Sequence, residues 1–356
     1  MTFVEQVLVG AGLTDAITNM ARSIRRGLAD PARGDIFARH PAVGVDDVLP
    51  LDRFDPAHTP GRVVVFHASL GDPDVFEALS RCASPIALVF HNLAPDQAFE
   101  SIDPARAAAL RDGWRELEDL RPSVAVAIAD STFNAACLTE LGFRNVHVLP
   151  VGVEAHRLDR ASPNPQFQQR VDQEVDGQLL LSVGQALPHK HLETLVQMQH
   201  ILTEYGRQAT SLAVVGPPTI PAIVDAITEQ AAALNVPNCV FYGQVSDAEL
   251  SVLFKRAFLF ITASAHEGLC LPAIEAMASG LPVVAREAGA LPETVGEAGI
   301  LLPPDAGPEL FAEAVRCLLD DDDLHARLSR AGRREVGRFD DEASLKAFLQ
   351  ILDDIT

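Results

Sequence analysis

The stretch Ser264-Ala-His-Glu-Gly-Leu-Cys-Leu-Pro-Ala-Ile-Glu-Ala-Met-Ala-Ser-Gly280 sets Glu267 and Glu275 on either side of a Gly-Leu-Cys-Leu-Pro turn that opens a helix. Pro272 suits the first helical turn, where a missing N–H costs nothing, so free N–H groups between residues 268 and 273 face forward from a positive helix end. Such an end is a seat for a diphosphate. Glu267 precedes the helix and Glu275 lies about one turn inside it, a spacing at which one carboxylate can reach a donor sugar while the other reaches a ribose. Two hydroxyls on adjacent carbons suit one carboxylate, which accepts from both. Taken without its flanks, the Glu pair also fits an ordinary helix with a Pro start and solvent-facing acids.

The flanks decide between these readings. The Gly268-Leu269-Cys270-Leu271-Pro272 turn and the following Ala278-Ser-Gly-Leu-Pro-Val-Val-Ala285 resemble the retaining family-4 glycosyltransferases of GT-B fold (glycosyl transferase group 1). That family's signature is Glu, seven residues, Glu, with Gly-Phe-Gly-Leu-Pro or a near variant after the first Glu. The resemblance covers nearly the whole chain, strongest over residues 179 to 305 and weakest in the first 60. It implies an α/β protein of two Rossmann-like domains whose parallel sheets face across a cleft. The expected division is an acceptor-side domain over 1–165, a nucleotide-sugar-binding domain over 166–337, and a terminal helix over 338–356 that crosses back to the first domain.

Bulk properties agree with two soluble domains. A chain of 356 residues is too long for one ordinary core, and 48% hydrophobic with 22% charged residues is a normal globular balance. Apolar runs such as Val124 to Ala129 are strand-length, far short of the roughly 20 residues of a spanning helix. No basic start precedes an apolar stretch at the N-terminus, so no secretory signal is expected. Five scattered cysteines without a C-x-x-C pair read as reduced thiols in a cytoplasmic protein. The net charge of -21 argues against nucleic acid and leaves at most peripheral membrane contact. The local basic stretch Arg22, Arg25, Arg26, Arg33 and Arg39 reads as a solvated helix face.

Short β-rich runs alternate with helical patterns, which predicts parallel sheets with helices on both sides. Strands are expected at Gln6–Val9, Val63–His67, Ile86–Phe90, Val124–Ile128 and Val146–Leu149. In the second half they fall at Leu179–Val183, Ser211–Val215, Val240–Tyr242, Phe258–Ile261, Val283–Ala285 and Ile300–Leu302. Between the halves, Glu154 to Asp176 is polar, carries Pro163 and Pro165, and reads as a linker. Ser246-Asp-Ala-Glu249 is a capping box, Asp130-Ser131 caps the helix after the Val124 strand, and apolar residues at helical spacing mark a helix from Asp340 to Ile355.

Further candidates lie at strand ends. Gly184-Gln185-Ala-Leu-Pro-His-Lys190 ends a strand in a glycine turn and sets a lysine before a helix, in a chain where only Lys190, Lys255 and Lys346 are lysines among 28 basic residues. A cation there would stabilise a departing diphosphate, although a surface lysine at a helix start has the same local sequence. The family pattern is Gly-Arg with Lys five residues on, and Gln185 stands in place of that Arg, without charge or bidentate reach. His91, in Phe90-His-Asn-Leu-Ala-Pro95, sits where open α/β sheets bind ligands and resembles the Tyr-His-Asn-Ile-Thr-Pro segment of a subgroup that includes polysaccharide mannosyltransferases. His67 and Ser69 end the preceding strand similarly; either histidine alone also fits a satisfied structural role. Gly12 and Asp15 fit that subgroup's first loop, with Thr14 in place of a glycine, better than a dinucleotide fingerprint, whose third glycine Asp15 would replace. Gly216, Gln244 and Val245 match positions lining the base and ribose, or are plain turn residues. Ala288 to Glu293 reads as structural support.

The resemblance implies a retaining hexosyltransferase, with a nucleoside-diphosphate sugar (GDP-mannose through the His-Asn segment) as donor and a saccharide or glycolipid as acceptor. Lys190 would neutralise the diphosphate, Glu267 orient the donor sugar, Glu275 grip the ribose and His91 hydrogen-bond the sugar, with Gly268, Leu269, Cys270 and Leu271 giving backbone donors. No cofactor or metal is expected. A GT-B sugar-nucleotide epimerase and an inactive sugar-nucleotide or partner-binding relative remain open.

Overall fold

The computed structural model describes residues 3–13, 15–28, 34–57, 59–150 and 153–356; Thr14 and Arg33, both named above, lie outside them. Among the described residues every strand pairing is parallel, in two sheets. The first contains β1 (Phe3–Ala11), β2 (Ile36–Pro41), β3 (Leu49–Pro50), β4 (Arg62–Ala68), β5 (Ile86–Phe90), β6 (Val124–Ala129) and β7 (Val146–Val148), in the order β3-β2-β1-β4-β5-β6-β7. The second contains β8 (Gln178–Val183), β9 (Thr210–Val215), β10 (Cys239–Gly243), β11 (Ala257–Thr262), β12 (Val283–Arg286) and β13 (Gly299–Leu302), in the order β10-β9-β8-β11-β12-β13. Central strands such as β4 and β5 are buried along their full length, as strands covered by helices on both faces must be. In each sheet the order reverses beside its first strand, between β1 and β4 and between β8 and β11. Open sheets take ligands at that reversal, beyond the carboxyl ends of the strands.

The chain divides into two compact units, Met1–Val153 with Phe339–Thr356, and Glu154–Arg338. Helices α1 (Ala16–Gly27), α2 (Pro73–Ser80), α3 (Pro104–Leu120) and α4 (Thr132–Glu140) belong to the first. The second carries α5 (Arg157–Arg160), α6 (Pro165–Glu174), α7 (Leu192–Tyr205), α8 (Pro221–Ala233), α9 (Asp247–Arg256), α10 (Leu271–Ala278), α11 (Leu291–Val295), α12 (Pro308–Asp320) and α13 (Asp322–Glu335), and α14 (Asp341–Asp354) returns to the first.

Three sequence expectations change. The Glu154–Asp176 linker is instead α5 and α6, part of the second unit, whose border falls after Val153 and not after residue 165. The physical reason is local: the Asn164 side chain accepts from the N–H groups of Gln166 and Phe167, and Pro165 opens α6 instead of breaking it. Phe167 and Val171, four residues apart, then bury one face, with Phe167 edge-on to Tyr242 at 5.4 Å. Strands β2 and β3 went unread, because Ile36-Phe-Ala-Arg-His-Pro41 mixes charge and proline and β3 has only two residues. Finally, Ser131 alone caps α4, by accepting from Asn134 N at 3.1 Å; Asp130 turns elsewhere.

The basic stretch around α1 is neutralised locally. Arg22 and Arg25 both pair with Asp47 at 2.7 Å, and hydrogen bonds led by Arg22 hold the Asp47 carboxyl at about 2. Arg39 pairs with Asp74. No helix among the described residues is long and apolar enough to cross a membrane.

Helix α14 is bound to the first unit by burial. Phe348 and Leu352 join Val4, Met20, Ile24, Val63 and Val65 in one core, and a Cβ added at Gly27 would meet Leu345 at 2.4 Å, so α1 and α14 touch through a residue with no side chain. Phe348→Ala is expected to destabilise the first unit by about 3–5 kcal/mol in urea unfolding, whereas Gln350→Ala on the exposed side should cost under about 0.5 kcal/mol. Equal, small effects would show that the tail is not part of that core.

Candidate functional site

At the carboxyl ends of β8, β9 and β10 three glycine turns line up. Gly184 N donates to Val215 O at 2.8 Å and Gly216 N to Gly243 O at 2.9 Å. Gly216 has φ +147° and packs so closely that a Cβ there would lie 1.9 Å from Gly184 O, so only glycine fits. Gln185 is exposed, and its Oε1 accepts from Thr219 Oγ1 at 2.9 Å. Gln244, exposed, and Val245, half-buried, connect β10 to the capping box of Ser246 and Glu249.

Lys190 ends a short 3-10 turn, Pro188–Lys190, after β8. Two hydrogen bonds hold that turn to the loop after β11: Ala265 N donates to His189 O at 2.8 Å, and the Ser264 hydroxyl Oγ donates to the same carbonyl at 3.4 Å. From the other side, Ala290 N donates to Glu267 O at 2.8 Å. Gly289 (φ +56°) lies so close that a Cβ would be 2.2 Å from that oxygen; the Ala288–Glu293 segment thus buttresses the loop. So pinned, Lys190 Nζ donates to Glu267 Oε1 at 2.7 Å, with side chains 20% and 11% exposed. Burial works against the lysine's charge, but the Glu267 carboxylate outweighs it and holds Lys190 above its ordinary value.

Helix α10 starts from Cys270, which is buried at φ +69° and gives no side-chain cap. Its first-turn N–H groups are therefore unmatched by a capping side chain, as an anion seat requires. Thr294 Oγ1 donates to Leu269 O at 2.6 Å and fixes the turn. Burial pushes the Cys270 thiol far above its usual range, which makes it packing and not a nucleophile. One turn on, the Glu275 side chain is 2% exposed and accepts from Arg157 Nε at 2.6 Å; Arg157 also donates to Asp247. Burial raises the Glu275 carboxyl and Arg157 pulls it back without cancelling the rise. Arg157 is a site residue that sequence reasoning missed, since it lay inside the presumed linker and no spacing singled it out.

In the first unit the Asp15 carboxylate caps α1, accepting from Thr18 N at 2.8 Å and Thr18 Oγ1 at 2.7 Å, while Gly12 N donates to that same hydroxyl oxygen at 3.0 Å. His91 lies just past β5 with both ring nitrogens engaged, Nε2 with His67 Nδ1 at 3.0 Å and Nδ1 with Asp130 Oδ2 at 2.7 Å. In this arrangement neither nitrogen is left for the sugar hydroxyl that the sequence assigned to it. Asp130, read as a helix cap, is thus the partner of His91.

Residues 164–335, nearly the whole second unit, match the family described as glycosyl transferases group 1. That match takes in 172 of the 356 residues, just under half of the chain. Over 262 residues it is 28% identical to a GDP-mannose-dependent alpha-mannosyltransferase of Mycobacterium tuberculosis, covering 73% of this chain and 64% of that one. Over 95 residues it is 47% identical to the MMP alpha-(1->4)-mannosyltransferase of Mycolicibacterium hassiacum, 26% of this chain and 23% of the relative. The matches thus span less than two thirds of these relatives' own length. Sucrose-phosphate synthase from Thermosynechococcus elongatus shares the GT-B fold, with a TM-score of 0.77 at 19% identity over 99% of this chain and 98% of that one.

The Arg157–Glu275 pair makes a direct test of site architecture. Arg157→Ala strands a buried carboxylate and is expected to cost about 3–5 kcal/mol in denaturant unfolding of the second unit. Adding Glu275→Gln should return most of that loss. A single-mutant cost below about 1 kcal/mol would mean that the pair is an ordinary surface bridge.

Proposed function

We propose that this chain is a group 1 glycosyltransferase that moves a hexose from a nucleoside-diphosphate sugar, GDP-mannose in the first instance, to a saccharide or glycolipid acceptor, with retention at the anomeric carbon. The observation that carries the reading is the Lys190–Glu267 contact of 2.7 Å at the strand reversal between β8 and β11, ahead of the uncapped start of α10. An ammonium has three N–H donors. One is spent on Glu267, which leaves two for a diphosphate.

As the bond between the anomeric carbon and the phosphate oxygen breaks, negative charge gathers on the leaving group, and groups already aimed at that charge lower the barrier. Lys190 and the N–H groups from Gly268 to Leu271 fill that role. Gln185 brings no charge, so the burden falls on Lys190. Glu267, held by the lysine, orients the donor sugar, and Glu275 takes the ribose hydroxyls. The leaving phosphate helps to deprotonate the acceptor on the same face of the sugar. The reading contains no metal, because the lysine and helix start supply the counter-charge. The names of both mannosyltransferase relatives support mannose as the sugar.

Lys190→Ala should lower the rate of GDP release from GDP-mannose in the presence of acceptor by about 10²–10³-fold, with a much smaller change in donor affinity. Glu275→Ala should weaken GDP binding by about 10–100-fold, the worth of a hydrogen bond to a charged group. Unchanged turnover in Lys190→Ala would remove the leaving-group role; interconversion of free sugar nucleotides without acceptor would replace transfer by epimerisation.

The pH dependence follows from Glu275. Its carboxyl is raised above 4.5, and the ribose hydroxyls need the ionised form. GDP affinity is therefore expected to hold above that raised value and to fall as the pH drops through it, starting at higher pH than for an ordinary Glu. Glu275→Gln should abolish this fall; the same fall in the Gln variant would assign it to another group.

A further inference from the structure

Four polar side chains join in line inside the first unit: Gln6 on β1, His67 on β4, His91 after β5 and Asp130 after β6. Gln6 and His67 are fully buried, and the His91 and Asp130 side chains are 7% and 6% exposed. The distances are 3.0 Å from Gln6 Oε1 to His67 Nε2, 3.0 Å from His67 Nδ1 to His91 Nε2, and 2.7 Å from His91 Nδ1 to Asp130 Oδ2. The two imidazole planes lie within 4° of each other and their centroids are 5.3 Å apart, a separation that a 3.0 Å nitrogen–nitrogen contact allows only when the rings meet edge to edge, so the contact is an in-plane hydrogen bond.

The direction of the first bond is fixed. Gln6 Nε2 donates to Ala21 O at 2.8 Å, so the amide cannot turn over, and its oxygen must accept from His67 Nε2–H. At the far end a carboxylate oxygen can only accept, so His91 Nδ1 carries a proton. The bond between the rings needs one more. Three bonds require three protons, whereas two neutral imidazoles bring two.

We infer that the chain holds one proton beyond two neutral imidazoles and a carboxylate, and that His67, anchored by Gln6, is a positioning residue that with Asp130 keeps His91 as an imidazolium. The same count is met with the extra proton on Asp130, but imidazole is the stronger base, and 2.7 Å is the length of a charge-assisted bond. Burial holds the His67 ring well below its usual value, so the charge rests on His91. Among the described residues, the titratable groups hydrogen-bonded to these rings are each other and Asp130, and from β1 the uncharged Gln6 bonds to His67. Histidinium and carboxylate cancel, so burying the pair costs less than burying either ion alone.

A ring that donates from both nitrogens cannot serve as a general base. His91 presents fixed, donor-saturated chemistry at the ligand end of the first sheet, and in the transfer read above the acceptor's proton goes elsewhere. That last clause rests on the proposed reaction; the proton count does not.

The test is spectroscopic. Protein labelled with ¹⁵N-histidine is examined near pH 7 by long-range ¹H–¹⁵N correlation, with His67→Gln and His91→Gln assigning the two rings. The expected result is two protonated nitrogens on His91 and protonation of His67 at Nε2 alone. In Asp130→Asn the new amide can donate to a bare Nδ1, so the doubly protonated signature should be lost. Two neutral rings in the unaltered protein would overturn the inference, as would a doubly protonated His91 that persists in Asp130→Asn. Absence of transferase activity would leave the proton count standing.

Discussion

A lysine and a glutamate 77 positions apart in the chain meet at 2.7 Å, and the arrangement of the second unit can be read as what holds them there. Neither rides on a long helix. Each sits in a loop beyond a strand end, and the loops are tied by backbone bonds to His189 O and Glu267 O. Gly216 and Gly289, where a Cβ would collide with backbone at 1.9 and 2.2 Å, mark where one loop presses on the next. Two parallel strands adjacent in the sheet but distant in sequence supply the frame, since β8 and β11 are hydrogen-bonded neighbours. The strand reversal beside β8 opens the space in front of them.

The same economy of charge recurs at two other buried carboxylates. Glu275 is matched by Arg157, and Asp130 by His91. A buried carboxylate without a partner is costly, and each of these two is matched by a basic side chain. Under the proposed function, a ribose at Glu275 would share or take the place of Arg157, so that nucleotide binding would reflect a difference between two interactions and not one alone.

Much of this was legible in the sequence for a physical reason. Strands such as Ile86–Phe90 are continuous apolar runs because both faces are buried, and helix starts such as Ser246 and Asp340 carry their caps with them. Glu267, Glu275 and Lys190 could be picked out as candidates because the chemistry proposed for them is bound to local spacing beside a helix start. What stayed hidden depends on tertiary proximity. Arg157 finds Glu275 across 118 positions and His67 finds Gln6 across 61, and no local pattern encodes either meeting. The α6 helix was hidden differently: its Asn-Pro start reads as a loop until Phe167 and Val171 are seen to share a buried face.

The most direct test of the account is a thermal-shift series on the unaltered protein with GDP, UDP, ADP, dTDP and their hexose conjugates, because a ligand of the folded state raises the melting temperature by mass action. The account predicts stabilisation by a nucleoside diphosphate, largest for GDP and GDP-mannose and growing with concentration. No shift with any of them, at concentrations that stabilise an intact group 1 transferase, would contradict it: the Lys190–Glu267 pair would then be a structural bridge, and the chain a relative that has lost its donor site with the neutral Gln185.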